Sequence, residues 1–368
     1  MKATMARMAR GLACTAVLSS VAGCCLVGAS RRRVRRSTDL SGPDAAQWRG
    51  YMTIGGIGQY VQVRGHDRHN PVVLWVHGGP GYPLTYLSRH YQQGLEERYT
   101  VATWEQRGSG RTHRHGRGTT QPELTLELLL SDMDELVDRL RSEYGRGRVV
   151  LLGQSWGTVL ATEYLQRHPG KVSAYIGTGQ VVDFKQGKIE AAHAATALSD
   201  RQTAMRLEED ARSFAQTESV DDMDAIRLER MVVDSLKPLR GDRELSGMQQ
   251  LWFGLTSPDF TMQDLRWLLA ASDSERIIRS QRELVNYMYY RYRLADITIP
   301  DTIPVCFIQG QSDWITPSMM VRDLCRSMPN HDRRYIEIAG AGHTPFLDNP
   351  TAFNIQATRF LDTYRTDL

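Results

Sequence analysis

The sequence predicts an α/β fold, in which a mostly parallel β-sheet is covered by helices on both faces. From Tyr60 onward, short apolar segments alternate with segments of helical periodicity, which is typical of parallel strands joined by helices. Residues 71–77 (PVVLWVH) form a continuous apolar run, as expected for a strand that is buried on both faces. Residues 183–296 contain no convincing strand, which indicates a helical insertion.

Further apolar runs predict the other strands of the sheet, at residues 99–104, 149–152, 172–177, 304–309 and 334–338. Helices are predicted at residues 124–144, 156–168 and 351–363. The first of these helices has an apolar stripe that can face the sheet, formed by Leu129, Met133, Val137 and Leu140.

These patterns divide the chain into three parts. Residues 1–36 are a basic leader, residues 37–182 and 298–368 form the α/β core, and residues 183–297 form a helical lid. A helical insertion before the last strands would cover the carboxyl ends of the strands, where ligands bind in such folds.

The charge of the chain is unevenly distributed. Its 368 residues include 45 Lys and Arg and 42 Asp and Glu, a net charge of +3. Residues 1–36 hold eight basic residues and no acidic one, which leaves 37 basic and 42 acidic residues in the body. A mildly acidic body argues against nucleic-acid binding, which needs a basic face. The mean hydropathy of −0.41 excludes a protein with many membrane spans.

The leader has the layout of a signal peptide or a membrane anchor. A basic start is followed by an uncharged stretch, residues 11–29, and then by five arginines within residues 31–36. Residues 21–24 (VAGC) resemble the lipobox of bacterial lipoproteins, in which the cysteine is lipidated. The arginine run opposes export and would hold the body in the cytosol. We therefore expect attachment to a membrane, or export, through the leader; the alternative is a later translation start and a cytoplasmic protein.

Cysteine usage excludes a disulfide framework. Three of the five cysteines lie in the leader, so that only Cys306 and Cys325 remain in the body. Whether these two form a disulfide is left open by the sequence. No metal is expected, because no His and Cys residues have the spacing of metal ligands. No cofactor is expected either, because no G-x-G-x-x-G motif follows a first strand.

The segment with the clearest chemistry is residues 153–157 (GQSWG), a G-x-S-x-G motif between a predicted strand and a predicted helix. Such a turn is so tight that the positions two residues either side of the serine must be small. The hydroxyl of Ser155 is then exposed above the sheet, close to the first amides of the next helix. This context predicts that Ser155 is a nucleophile.

A serine nucleophile needs a base, and the base needs an acid that orients it. In this type of fold the acid and then the histidine follow the nucleophile along the chain. Asp313 follows the strand predicted at 304–309, and His343 follows the strand predicted at 334–338. Both should therefore lie at the same rim as Ser155. Asp348 is a rival acid, but it comes after the histidine at a predicted helix cap.

Stabilisation of an oxyanion requires two backbone N–H groups. One should be the N–H of Trp156, directly after the nucleophile. The other should come from residues 77–81 (HGGPG), where glycines allow a close approach of the backbone to a substrate carbonyl.

Together these motifs resemble the proline iminopeptidase family of α/β-hydrolases, over about residues 55–365. The resemblance is carried by HGGPG at 77–81, WEQRGSGRT at 104–112, GQSWG at 153–157, GQSD at 310–313 and GH at 342–343. In this sequence Glu105 replaces the aspartate of the family's Asp-Gln-Arg-Gly motif, and Thr112 replaces the serine that follows it. The resemblance implies a triad of Ser155, Asp313 and His343, with Gly79 and Trp156 as oxyanion donors. It also implies that residues 105–112 form a structural loop beneath the site.

The resemblance implies a small peptide substrate with a free N-terminus, whose amine is held by acidic residues of the lid. Candidates are Glu190, Glu208, Glu209 and Glu218, although no motif distinguishes one of them. Because the 105–112 motif departs from the family pattern, a carboxylesterase or lactone hydrolase with the same triad is the alternative. A non-catalytic binding protein on the same fold is a further alternative.

Overall fold

The computed structural model describes residues 23–116, 122–220, 228, 231–232, 234–272 and 274–364. It contains one eight-stranded sheet in the order β1-β2-β4-β3-β5-β6-β7-β8. The strands are β1 (Ala46–Ile54), β2 (Ile57–Gly65), β3 (Val72–Val76), β4 (Thr100–Trp104), β5 (Val149–Gln154), β6 (Val172–Thr178), β7 (Val305–Gly310) and β8 (Arg333–Ile338). From β4 to β8 all neighbouring strands are parallel, so that the predicted α/β fold class is confirmed.

The antiparallel hairpin of β1 and β2 was not predicted from the sequence. Gly55 and Gly56 form its two-residue turn, each with a positive φ, and Ile54 pairs with Ile57. β1 is the edge strand, and most of its side chains are exposed or only partly buried. It therefore lacks the apolar run by which the inner strands are recognised.

Helices cover the sheet, whose buried apolar residues form a large cluster on each side. The helices before β6 are α1 (residues 23–37) in the leader and α2 (Ser88–Tyr91), α3 (Gln93–Glu96), α4 (Gly110–His115), α5 (Leu126–Glu143) and α6 (Trp156–Arg167) in the core. α5 and α6 match two predicted helices within two residues at each end.

Between β6 and β7 the described residues form helices and loops without a strand. The helices are α7 (Phe184–Thr196), α8 (Arg201–Gln216), α9 (Gly247–Thr256), α10 (Met262–Ala271), α11 (Ser274–Ser280) and α12 (Arg282–Asn286), followed by a π-helical turn (Tyr287–Arg291). The chain then forms α13 (Ser318–Ser327), α14 (Pro345–Asp348) and α15 (Pro350–Asp362). The boundaries proposed for core and lid stay a prediction.

The leader is described only from residue 23 onward, so that most of the predicted uncharged stretch and half of the lipobox lie outside the described residues. Cys24 is exposed on α1, and Cys306 and Cys325 are buried free thiols. Within the described ranges, no helix combines the length and the apolar character needed to cross a bilayer.

Candidate active site

Ser155 lies on a sharp turn between β5 and α6. Its backbone has a φ of 52° and a ψ of −124°, a left-handed conformation that is costly for a residue with a side chain. The N–H of Ser155 donates to the carbonyl oxygen of Thr178 at 3.0 Å, at the end of β6. The turn is therefore held by the neighbouring strand and not only by its own residues.

Close backbone approach explains the glycines on both sides of this turn. A Cβ at Gly157 would lie 2.0 Å from the carbonyl oxygen of Val76, which belongs to β3. A Cβ at Gly153 would lie 2.8 Å from the carbonyl oxygen of Gly157. Neither contact can be relieved by moving a flexible side chain, so that any larger residue must displace β3 or α6.

The carboxylate of Asp313 and the imidazole of His343 meet at the same rim of the sheet. Asp313 follows β7 and His343 follows β8, and His343 Nδ1 is 3.0 Å from Oδ2 and 3.1 Å from Oδ1 of Asp313. Ser155 and His343 line one cavity. Within the described contacts, no hydrogen bond joins the Ser155 hydroxyl to the imidazole. Catalytic hydrogen bonds often close only when substrate is bound.

Asp313 is held in place by its own loop. Its Oδ1 accepts the N–H groups of Ile315 and Thr316, each at 3.0 Å, and its Oδ2 accepts the Thr316 hydroxyl at 2.8 Å. These three hydrogen bonds fix the direction of the carboxylate toward His343. Thr316 was not among the predicted site residues, because its role depends on the fold of the loop after β7.

Asp348, the rival acid, has a different set of partners. Its Oδ2 accepts the N–H of Gly342 at 2.9 Å and its Oδ1 accepts the N–H of Leu245 at 3.0 Å. It ends α14, and the cap of α15 is Asn349, so that the cap predicted at Asp348 lies one residue later. Burial raises the pKa of Asp348 above its ordinary value. Asp348 thus fixes the loop that carries His343 and joins it to the segment before α9.

The HGGPG segment packs directly against the serine turn. A Cβ at Gly78 would lie 2.9 Å from Cβ of Ser155, and Gly79 lines the same cavity as the serine. Gly79 has a φ of 121°, which requires glycine, and its bond to Pro80 is cis. Donation to an oxyanion by the N–H groups of Gly79 and Trp156 stays a prediction.

The side chain of Gln106 links the two segments from which the oxyanion donors are expected. Its amide nitrogen donates to the carbonyl oxygen of His77 at 3.0 Å, and its amide oxygen accepts the indole N–H of Trp156 at 3.1 Å. The backbone N–H of Gln106 also donates to Nε2 of His77 at 3.1 Å. Burial lowers the pKa of His77 to about 4, so that its ring is neutral and can accept this bond.

The two arginines of the 105–112 loop bind different parts of the molecule. Arg107 forms a two-pronged ion pair with Asp132 on α5, with both nitrogen–oxygen distances 2.8 Å. Arg111 forms a similar pair with Asp264 on α10, at 2.9 and 2.7 Å. All four side chains are buried. The loop therefore connects the core to a helix of the insertion, which is a structural role.

Glu105 is the buried acid at the start of this loop. Its Oε2 accepts the backbone N–H of Arg111 at 2.6 Å. Burial raises the pKa of Glu105 to about 7, against the opposing attraction of the Arg111 guanidinium and with a further increase from Asp264. A carboxyl group with this pKa changes its charge near neutral pH.

The cavity above Ser155 has a volume of about 650 Å³ and mostly apolar walls. Its apolar lining consists of Pro80, Leu84, Phe184, Ile277, Ile278, Val285, Met288, Ile315 and Leu347, together with the rings of Tyr82 and Tyr289. Among the described lining residues, Asp234 supplies the one carboxylate. It is 72% exposed and forms an ion pair with Lys237 at 2.8 Å.

The four acidic residues proposed from the sequence do not line this cavity. Glu208, Glu209 and Glu218 are exposed, and Glu190 accepts a hydrogen bond from Gln186 within α7 at 2.8 Å. The expectation that one of them holds a substrate amine there is therefore unsupported. Asp234 was missed because nothing in the local sequence separates it from other exposed lid acids.

Replacing Gly157 by alanine tests the close contact beneath the serine turn. We expect Gly157→Ala to lower the free energy of unfolding by about 3 kcal/mol or more, because overpacking a rigid contact typically costs 1–3 kcal/mol and here the opposing atom is backbone. Gly147→Ala is the matched control, since its Cβ meets nothing within 4 Å and should leave stability within about 0.5 kcal/mol. Urea unfolding measures both, and equal stabilities would contradict the proposed contact.

Glu105 should give the stability a dependence on pH. Its folded pKa of about 7 lies above the ordinary value of 4.5, so that the folded state binds more protons between these values and loses stability as pH rises through them. Glu105→Gln removes this loss. We expect the stability of the variant relative to wild type to increase by roughly 2–3 kcal/mol from pH 4.5 to 7.5.

The control for this measurement is Glu135→Gln. The N–H of Gly55 and then Arg139 lower the pKa of Glu135, so that its contribution is lost only as pH falls below 4.5. Between pH 5 and 7.5 the stability difference for this variant should stay constant. A difference for Glu105→Gln that is equally constant would show that the Glu105 carboxyl does not titrate in this range.

Comparison with known proteins supports the assignment of the site to a hydrolase. A sequence model of the alpha/beta hydrolase fold matches residues 71–350. The chain is 25% identical over 303 residues to the probable aminopeptidase YbaC of Bacillus subtilis (strain 168), which covers 82% of this chain and 92% of that protein. It is also 25% identical over 300 residues to the proline iminopeptidase of Xylella fastidiosa (strain Temecula1 / ATCC 700964), which covers 78% and 87%.

A solved structure has the same fold. The proline iminopeptidase-related protein TTHA1809 from Thermus thermophilus superposes with a TM-score of 0.58 at 21% identity, over 88% of this chain and 100% of that one. The matched residues 71–350 include the HGGPG segment, the serine turn, Asp313 and His343. The chain therefore belongs to the alpha/beta hydrolase fold family, as a hydrolase that is similar to the proline iminopeptidases.

Proposed function

We propose that the protein is a serine hydrolase that acts by acyl transfer through Ser155, His343 and Asp313. The observation that carries this proposal is the hydrogen bond of 3.0 Å between Asp313 and His343, at the edge of a cavity that Ser155 also lines. A nucleophile on a strained turn, a base, and an acid that orients the base are the three parts of such a triad.

In the proposed reaction, Nε2 of His343 takes the proton from Ser155 Oγ as the oxygen attacks a substrate carbonyl. Asp313 binds the Nδ1–H group, sets the tautomer and stabilises the imidazolium. The N–H groups of Gly79 and Trp156 stabilise the oxyanion, a contribution worth ~10²–10³ in rate per donor. His343 then protonates the leaving group, and water attacks the acyl-enzyme with His343 as the base.

For the substrate, we propose a small peptide from which an N-terminal residue is released. Support comes from the similarity to the probable aminopeptidase of Bacillus subtilis and to a proline iminopeptidase, each over more than three quarters of this chain. A free N-terminal amine carries a positive charge, and Asp234 is the described carboxylate at the cavity. Asp234 would bind the amine in exchange for Lys237.

A carboxylesterase or lactone hydrolase is the second candidate, and the lining of the cavity favours it. Nine of the described lining side chains are apolar, and two more are tyrosines. A charged amine loses its hydration in such surroundings, and this costs binding free energy unless an opposite charge compensates. An apolar acyl group instead gains binding free energy from burial. Both candidates use the same triad.

The triad is tested by covalent labelling. A fluorophosphonate probe should label the wild-type protein, and Ser155→Ala should abolish labelling and lower turnover by about 10⁴-fold or more. Ser327→Ala, at an exposed serine on α13, is the control and should behave as wild type. If the folded wild-type protein is not labelled, the protein is a binding protein on a hydrolase fold.

The substrate is tested by comparing kcat/KM for a proline arylamide with that for short acyl esters. Asp234→Asn should raise KM for the arylamide by about fivefold and leave ester hydrolysis unchanged, because an exposed ion pair contributes up to about 1 kcal/mol. Asp323→Asn, at an exposed acid of α13, is the control. Hydrolysis of esters alone would contradict the aminopeptidase proposal and support the second candidate.

A further inference from the structure

Helix α9 presents an exposed apolar stripe to solvent. Met248 is 75% exposed, Leu251 is 36% exposed and Trp252 is 43% exposed. Their spacing of three and four residues places them on one face of the helix. α9 contains no charged residue, which is unusual for a helix with an exposed face. An exposed apolar stripe that includes a tryptophan indicates a binding surface.

Helix α1 lies at the end of this stripe. The side chain of Arg31 donates from Nε to the carbonyl oxygen of Leu255, the residue one turn after the stripe, at 2.7 Å. Val27, Arg31 and Val34 are partly buried at helical spacing, so that this face of α1 rests on the body. Just after the helix, the carbonyl oxygen of Thr38 accepts hydrogen bonds from Nη2 of Arg64 at 2.6 Å and from Nη1 of Arg89 at 3.1 Å.

The exposed part of α1 is a cationic surface. Arg32, Arg33, Arg35 and Arg36 are exposed. None of them forms an ion pair with a residue of the described ranges, and the first acidic residue of the chain is Asp39. Four arginines are thus available to an anionic partner directly beside the apolar stripe of α9.

We propose that α1 and the stripe of α9 together form a surface that binds an anionic lipid bilayer peripherally. This α1–α9 surface consists of the four exposed arginines of α1 and of Met248, Leu251 and Trp252. Arginines bind anionic headgroups, while tryptophan and aliphatic side chains enter the region between headgroups and acyl chains. The positive charge of the surface is complementary to the negative charge of such a bilayer. The apolar stripe supplies side chains that can be buried among the lipids.

The α1–α9 surface goes beyond the hydrolase proposal and does not depend on it. It also differs from a membrane span, since it needs only one face of each helix. Gln250, on another side of α9, lines the cavity of Ser155. The helix that would rest on the bilayer is therefore also a wall of the candidate active site.

Vesicle sedimentation with the full chain tests the cationic part. The protein should bind vesicles of phosphatidylcholine mixed with phosphatidylglycerol and bind pure phosphatidylcholine weakly. Replacing Arg32, Arg33 and Arg36 together by glutamine should weaken binding by about 100-fold, because each arginine near an anionic surface is worth about fivefold. The control replaces Arg201, Arg206 and Arg212, three exposed arginines of α8, and should change binding less than about twofold.

The apolar part is tested with Trp252→Gln, which should weaken binding by about tenfold through the lost apolar area. Met205→Gln removes an exposed apolar side chain of α8 and is the control. Equal binding by Trp252→Gln and wild type would show that the leader alone binds, and would overturn the proposal.

Two further outcomes would also overturn the proposal. One is the absence of binding to anionic vesicles. The other is a dimer in solution that Trp252→Gln dissociates, because the stripe would then bind a second copy of the chain. Circular dichroism checks the fold of each variant. Fluorophosphonate labelling reports separately on Ser155, so that failure of the hydrolase proposal is distinguishable from failure of the surface.

Discussion

The geometry of the site depends on the left-handed backbone of Ser155. A non-glycine residue adopts such a conformation only where its surroundings overdetermine it. Here β6 binds the N–H of Ser155, and Gly157 allows α6 to approach the carbonyl oxygen of Val76 in β3. Ser155 is therefore positioned by three neighbouring strands of the sheet, and its strain is balanced by the burial of those strands.

The 105–112 loop connects the serine turn to the other segments of the site. Gln106 holds the start of the HGGPG segment and the indole of Trp156 through one side-chain amide. On either side of it, Arg107 is paired with α5 of the core and Arg111 with α10 of the insertion. Breaking a buried ion pair on one side is costly, because the remaining charge stays buried. Movement of α10 is therefore opposed at the same loop that positions the expected oxyanion donors.

The sequence predicts those features that have a local signal. Inner strands are continuous apolar runs, the serine turn needs glycines, and Asp313 and His343 each follow a strand, so that one rim collects them. The features that escaped prediction depend on distant partners. Thr316 reaches Asp313 only because of the path of the loop after β7. Gln106 contacts two segments that are remote from each other in sequence, and Asp234 is notable only for its position at the cavity. The exposed edge strand β1 has no apolar run because solvent covers much of it.

The net charge of +3 gives little information, because the arginines of the leader do not act alike. Arg31 is bound to a carbonyl oxygen of α9, and the four other arginines of α1 are exposed. This contact joins α1 to the end of α9, the helix that carries the uncharged apolar stripe. The run of five arginines thus combines one contact with the body and a cationic surface of four exposed side chains, of which Arg33 and Arg36 lie farthest around the helix from Arg31. Because α9 contacts α1 at one end and borders the cavity through Gln250, the helix that carries the proposed surface is also a wall of the candidate active site.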